Sequence, residues 1–182
     1  MPKYIYLVRH GECKANVDGV IAGAGDDSPL TELGKQQAVD AAKNLNGIQF
    51  DLIVTSPMTR AKDTAEIIAN ELGFDKAKIV PKIEFNEKEV GEFSGKPKEE
   101  YFAFEKSGGE AGETTTDMQE RVRSGIDWLK QQNFQNALLV THNGTVRMIR
   151  TVLEHLSAKE FANMPQLANG EFLKIDLEHV EA

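Results

Sequence analysis

The chain has 182 residues, with 21 Lys+Arg against 29 Asp+Glu for a net charge of −8, and is 40% hydrophobic. That length suits one well-buried domain over residues 1–182, and the composition is that of a folded globular protein rather than a disordered or fibrous one. The acidic balance argues against a nucleic-acid or anionic-membrane partner, and the single cysteine excludes an internal disulfide and a Cys-based metal cluster.

Tyr4 to Val8 is an apolar, β-rich run cut by Arg9, which predicts a buried strand. It is too short for a signal peptide or a membrane span, so a cytoplasmic location is expected. Thr31 to Leu45 carries Leu33, Ala38, Ala41, Ala42 and Leu45 on one helical stripe, with Thr31 at its start and Gly47 at its end. Asp51 to Ser56 predicts a second strand, and Pro57 opens a helix through Ala61, Ala65, Ile68 and Leu72 that stops at Gly73. A third strand is expected near Lys78 to Pro81, then irregular chain over Glu84 to Ser107 with a short helix around Pro97 to Phe104. A helix from Thr115 to Gln132 leads to the strand Ala137 to Thr141, and a further helix spans Thr145 to His155. Asn169-Gly170 is a turn signal before the alternating strand Glu171 to Leu177. Strands alternating with helices predict an α/β protein with helices on both faces of its sheet, a three-layer α/β/α arrangement.

Three of these strands end in cationic or imidazole groups. Val8 is followed by Arg9 and His10, Val54 leads to Arg60 one turn into its helix, and Val140 is followed by Thr141-His142-Asn143-Gly144. Ligands of open α/β sheets bind at the carboxyl ends of the strands, so Arg9, His10, Arg60 and His142 are expected to converge there. Guanidinium forks match phosphate oxygens, and a helix beginning at Gly144 adds an anion-favouring N-terminus. This predicts a phosphate site; the competing reading is charges at strand ends that are simply solvated.

Leu7-Val8-Arg9-His10-Gly11-Glu12 with Asn16 resembles the signature of the histidine phosphatase (phosphoglycerate mutase-like) superfamily. Similar blocks follow in family order: Ser28-Pro29-Leu30-Thr31-Glu32-Leu33-Gly34, Thr55-Ser56-Pro57-Met58-Thr59-Arg60-Ala61, Asn86-Glu87 before Val90-Gly91-Glu92, and Thr141-His142-Asn143-Gly144. The resemblance implies a mostly parallel central sheet of phosphoglycerate mutase-like type. It implies His10 as a nucleophile that forms a phosphohistidine, with Arg9, Asn16, Arg60, His142 and Asn143 binding the phosphoryl oxygens. Glu87 is then the general acid and base, a role that calls for a carboxyl whose pKa burial raises above about 4.3. The arginines neutralise the phosphoryl charge, so no metal and no cofactor are expected, and the partner is a small-molecule phosphomonoester. His155 and His179 fall outside the blocks and are assigned no catalytic role.

The chain departs from the family pattern at Cys13, where a Ser or Thr is usual, and over Gly19 to Gly25, where relatives carry larger side chains facing the substrate. The first weakens a hydroxyl contact near the phosphate, since sulfur is a poor donor. The second leaves few donors for a particular leaving group. Ile79 to Pro97 is short beside the insertions usual in the mutases, which favours hydrolysis over phosphoglycerate mutase-type transfer. A non-catalytic phosphate-binding domain is the third reading. Phe93, Tyr101, Phe102 and Phe104 are candidates to roof the crevice, with Ser107-Gly108-Gly109 as a hinge; the alternative is that they are core.

Overall fold

In the structure, a computed structural model that describes residues 2–177, the chain runs β1 (Tyr4–Arg9), α1 (Lys14–Val17), α2 (Glu32–Asn44), β2 (Leu52–Thr55), α3 (Thr59–Glu71), β3 (Val80–Pro81), α4 (Lys98–Lys106), α5 (Thr115–Gln131), β4 (Asn136–Thr141), α6 (Asn143–Leu153) and β5 (Phe172–Asp176). His179 lies outside the described residues. The five strands form one mixed, mostly parallel sheet in the order β3-β2-β4-β1-β5, with only β5 antiparallel, against β1.

Strand periodicity decides which residue meets which helix layer. Ile5, Leu7, Ala137 and Leu139 point into a core closed by Met118, Val122, Ile126 and Leu129 of α5 and by Val146, Ile149 and Val152 of α6. Tyr6, Val8, Leu138 and Val140 point to the opposite core, closed by Ala38, Ala41 and Ala42 of α2 and by Ala61, Ala65 and Ile68 of α3. The α2–α3 layer is rich in alanine, and small side chains let helices lie close to the sheet. Each fully buried Leu or Ile contributes about 1.5–3 kcal/mol, so both faces are strongly held. Helices on both faces of the sheet agree with the sequence expectation.

Two helix starts differ from that expectation. α3 begins at Thr59 rather than Pro57, because the Asp27 carboxylate accepts from both Thr59 N–H and Thr59 Oγ–H at 2.7 Å and caps the helix there. The shift puts Arg60 in the first turn. α6 begins at Asn143 rather than Thr145 and ends at Leu153; His155 beyond it has φ +56°, a left-handed conformation that stops the helix. β5 covers Phe172–Asp176, shorter at both ends than the alternation suggests.

The chain leaves β1 toward the α2–α3 face and leaves β4 toward the α5–α6 face, although these two strands are neighbours. That divergence opens a crevice at their carboxyl ends, where Arg9, His10, Thr141 and His142 sit.

Candidate active site

His10 is fixed from two sides. Its N–H donates to the Thr141 carbonyl at 2.9 Å, extending the β1–β4 pairing, and its Nδ1 lies 2.7 Å from the Gly11 carbonyl. A carbonyl only accepts, so Nδ1 carries the proton and Nε2 keeps its lone pair. Arg60 Nε–H donates to that Nε2 at 3.3 Å. The ring is 4% exposed, and burial, aided by the Arg60 charge, pushes its pKa well below the ordinary imidazole value. The result is a neutral imidazole whose unprotonated Nε2 faces the Arg60 guanidinium. Gly11 makes the tight path of the loop possible: a Cβ there would run into the Gly34 carbonyl at the start of α2.

The two arginines are held differently. Arg60 is buried, and its two terminal nitrogens donate to the Asp26 carbonyl and, at 3.0 Å, to the Gly23 carbonyl. Backbone oxygens from the loop after α1 thus orient the fork and leave Nε toward His10. Arg9 spends Nη1 on the Leu167 carbonyl at 2.7 Å, while its Nε is buried with no partner. An orphaned guanidinium donor beside a neutral imidazole suits an anionic oxygen such as that of a phosphoryl group. Burial draws the Arg9 pKa down.

His142 caps α6 and is fully buried, its ring centroid 5.1 Å from that of His10. Its Nε2 is 2.8 Å from Ser56 Oγ, and Ser56 Oγ–H donates to Asn86 Oδ1 at 2.8 Å. Ser56 has one hydroxyl proton, so Nε2 of His142 is the donor in that pair and Nδ1 is left bare, buried and without a partner. Burial and Arg60 push this imidazole well below its ordinary pKa as well.

Asn16 turns its Oδ1 inward, accepting from Cys13 N–H at 3.0 Å, Cys13 Sγ–H at 3.2 Å and Asn169 Nδ2 at 3.2 Å. Its amide NH₂ is therefore the end available to a ligand. The Cys13 thiol is fully buried and directs its weak donor at Asn16. Glu87 is half-buried; its Oε1 accepts from Lys88 N–H at 2.9 Å and its Oε2 from Gly144 N–H at 3.1 Å. The amide at the N-terminus of α6 is thus taken by a carboxylate, a correction to its expected use for a substrate anion. Asn143 Oδ1 accepts from Leu167 N–H at 3.1 Å.

One cavity of about 320 Å³ gathers Arg9, His10, Asn16, Arg60, Glu87 and Asn143 on its wall. His142 stands behind His10 rather than on that wall. Tyr101 and Phe102 reach the cavity, while Phe93 and Phe104 do not. Those two stack on each other with centroids 4.7 Å apart, and Gly109 lies against the Phe104 ring with no room for a Cβ. Asn169, expected only as a turn residue, also lines the cavity and donates to the His10 carbonyl at 2.9 Å. Ser56 and Asn86 stand inside the quoted blocks without a role, yet they fix the His142 ring. Among the described residues no three His, Cys, Asp or Glu side chains gather as metal ligands would. Among them, too, no helix is long and apolar enough to cross a membrane.

The model of the histidine phosphatase superfamily (branch 1) matches residues 5–182. The chain belongs to that superfamily. It is 30% identical to a 2,3-bisphosphoglycerate-dependent phosphoglycerate mutase of Bartonella bacilliformis, over 93% of this chain and 90% of that protein. It is 31% identical to the adenosylcobalamin/alpha-ribazole phosphatase of Escherichia coli, over 80% of this chain and 76% of the relative. Among solved structures, a putative alpha-ribazole-5'-P phosphatase of Escherichia coli superposes with a TM-score of 0.82 at 27% identity, covering 97% of this chain and 91% of that one. The superfamily thus includes both phosphatases and mutases close to this chain.

Proposed function

We propose that this protein is a metal-independent phosphomonoesterase that works through a phosphohistidine on His10. The observation that carries the reading is the fixed tautomer of His10, whose Nδ1–H is spent on the Gly11 carbonyl while Nε2 keeps its lone pair, met at 3.3 Å by the Arg60 Nε–H that an arriving phosphoryl group would displace. In the first step the Nε2 lone pair forms the N–P bond as the P–O bond to the leaving group breaks. The Glu87 carboxyl gives its proton to the departing oxygen. In the second step the Glu87 carboxylate takes a proton from water, the new O–P bond forms, and the N–P electron pair returns to Nε2. Arg9, Arg60 and the Asn16 amide stabilise charge on the non-bridging oxygens in both steps, the role a metal ion fills elsewhere. His142 supports His10 from behind, and Asn143 completes the phosphate pocket from the start of α6. The half-exposed Glu87 gives water a route to the phosphohistidine.

Turnover of para-nitrophenyl phosphate in the presence of EDTA, with alkaline quenching, tests this. The expected result is undiminished hydrolysis and an acid-labile phosphoryl group on the His10 peptide by mass spectrometry. Full turnover with no labelled His10 overturns it. The mutase relative supports a second reading, transfer between positions of a phosphoglycerate. Isomerisation of 3-phosphoglycerate that needs a bisphosphate primer and outpaces phosphate release would select that reading.

A further inference from the structure

The cavity wall also holds charged groups that the chemistry above does not use. Lys88, Glu105 and Arg147 all line it, with side chains only 5%, 8% and 5% exposed. Lys88 Nζ is 3.6 Å from Glu105 Oε1, and Arg147 Nη2 is 3.7 Å from Glu105 Oε2, distances of charge attraction rather than of hydrogen bonding. Tyr101 Oη–H donates to Glu105 Oε1 at 3.2 Å. Two buried cations therefore share one carboxylate.

Their donors are largely unspent. Lys88 has three N–H bonds and gives one, to Thr115 Oγ1 at 3.3 Å. Arg147 has five and gives one, to the Phe161 carbonyl at 2.8 Å, and its Nε is buried with no partner. The Phe161 ring lies 4.2 Å from the Arg147 guanidinium carbon and 5.7 Å from Lys88 Nζ, so an aromatic face offsets part of their burial. A buried cation with idle donors is costly unless a partner completes it. The wall is open to the cavity, so the partner can arrive with the substrate.

Resting on the phosphatase reading, we infer that Lys88 and Arg147 receive a second anionic group, a carboxylate or phosphate, carried on the leaving side of the substrate. The substrate class is then a small phosphomonoester with two anionic ends. The cavity, about 320 Å³, lies at the lower bound of ligand pockets, roughly 300–1,000 Å³, and leaves room for a few carbons between those ends. Glu105 keeps the two cations apart and partly neutralised until the anion enters.

Calorimetric binding of two inert phosphonates, propylphosphonate and 3-phosphonopropanoate, at fixed ionic strength tests the inference without any turnover. The carboxylated compound is expected to bind about tenfold tighter or more, the value of one added hydrogen bond to a charged group. Lys88→Met and Arg147→Met are each expected to shrink that ratio toward one, and Lys88→Met carries the test if the Arg147 variant does not fold. Equal affinity in the unaltered protein, or a ratio that survives a folded Lys88→Met, overturns the inference and marks the cluster as a structural ion network. Bisphosphonate binding in place of the carboxylate decides which anion is preferred. Loss of hydrolysis alone would count against the phosphohistidine reading and leave this comparison standing.

Discussion

The two ends of the cavity are built on opposite plans. At the phosphoryl end, His10 and Arg60 are held by main-chain oxygens: those of Gly11 for His10, and of Asp26 and Gly23 for Arg60. Those oxygens belong to the β1 end and the loop packed on it. At the leaving-group end of the proposal, Lys88, Glu105 and Arg147 come from a loop, α4 and α6; Lys88 and Arg147 each face Glu105 at 3.6–3.7 Å, and Arg147 adds one main-chain partner, the Phe161 carbonyl. Backbone partners fix a group whatever the neighbouring side chains are; side-chain partners can be exchanged one at a time. On the proposed function, the reacting groups sit where the sheet dictates geometry, and selectivity sits where substitution leaves the sheet alone.

The comparison breaks first at His10. His10→Ala removes the nucleophile and is expected to lower kcat for an aryl phosphate by at least about 10,000-fold, with circular dichroism unchanged. A loss under tenfold would move the chemistry elsewhere. Arg60→Lys keeps the charge but removes the fork that spans two carbonyls and His10. It is expected to cost about 100–1,000-fold in kcat, with weaker binding of inorganic phosphate by calorimetry. Glu87→Gln acts on one half-reaction more than the other. With para-nitrophenol, a good leaving group, phosphorylation of His10 continues while water attack slows, so an initial burst followed by turnover about 100-fold slower is expected. A uniform slowing without a burst would take the base role away from Glu87.

The same contrast explains what was legible in the sequence. Strand ends announce themselves, because an apolar run that stops at Arg9-His10 or at Thr141-His142 fixes both the strand and the groups it carries. The α2–α3 layer follows from its alanine-rich apolar spacing, apart from Leu33, which the structure leaves exposed. The missed contributors act across the chain: Asn169 reaches the His10 carbonyl only because β5 lies antiparallel beside β1, with Gly170 N–H on the Arg9 carbonyl at 3.0 Å. Nothing local to Asn169-Gly170 distinguishes such a turn from any other. α3 began late for the same reason, since its cap, Asp27, lies 32 residues before Thr59. The Lys88–Glu105–Arg147 group joins residues from three separate elements and has no signature within any one of them.

Buried neutral imidazoles tie the phosphoryl end to stability. His10 and His142 both titrate well below their ordinary value, through burial first and Arg60 second. Below about pH 6.5 the unfolded chain binds protons on both rings that the native protein excludes, so stability falls as pH drops through that value. Above it these two groups contribute nothing to the slope. The limiting effect is about 1.4 kcal/mol per pH unit for each ring. Urea unfolding at pH 7, 6 and 5 is expected to show the decline, and His10→Gln to remove one ring's share. An identical slope in that variant would contradict the buried neutral state.

The smallest change tests the hinge between the two ends. Gly144 N–H holds Glu87 Oε2, and a Cβ on Gly144 would occupy the space of that carboxylate. Its backbone is helical, so alanine there is favourable for α6 and the fold is expected to tolerate it. Gly144→Ala therefore moves Glu87 without removing it. The expected loss is about tenfold in kcat, smaller than for Glu87→Gln, because the proton donor persists at a displaced position. The loss should shrink for para-nitrophenyl phosphate, whose leaving oxygen needs little protonation, and grow for an alkyl ester. An equal loss for both esters would place the damage in phosphate binding, and so in Asn143, rather than in the carboxylate that Gly144 positions.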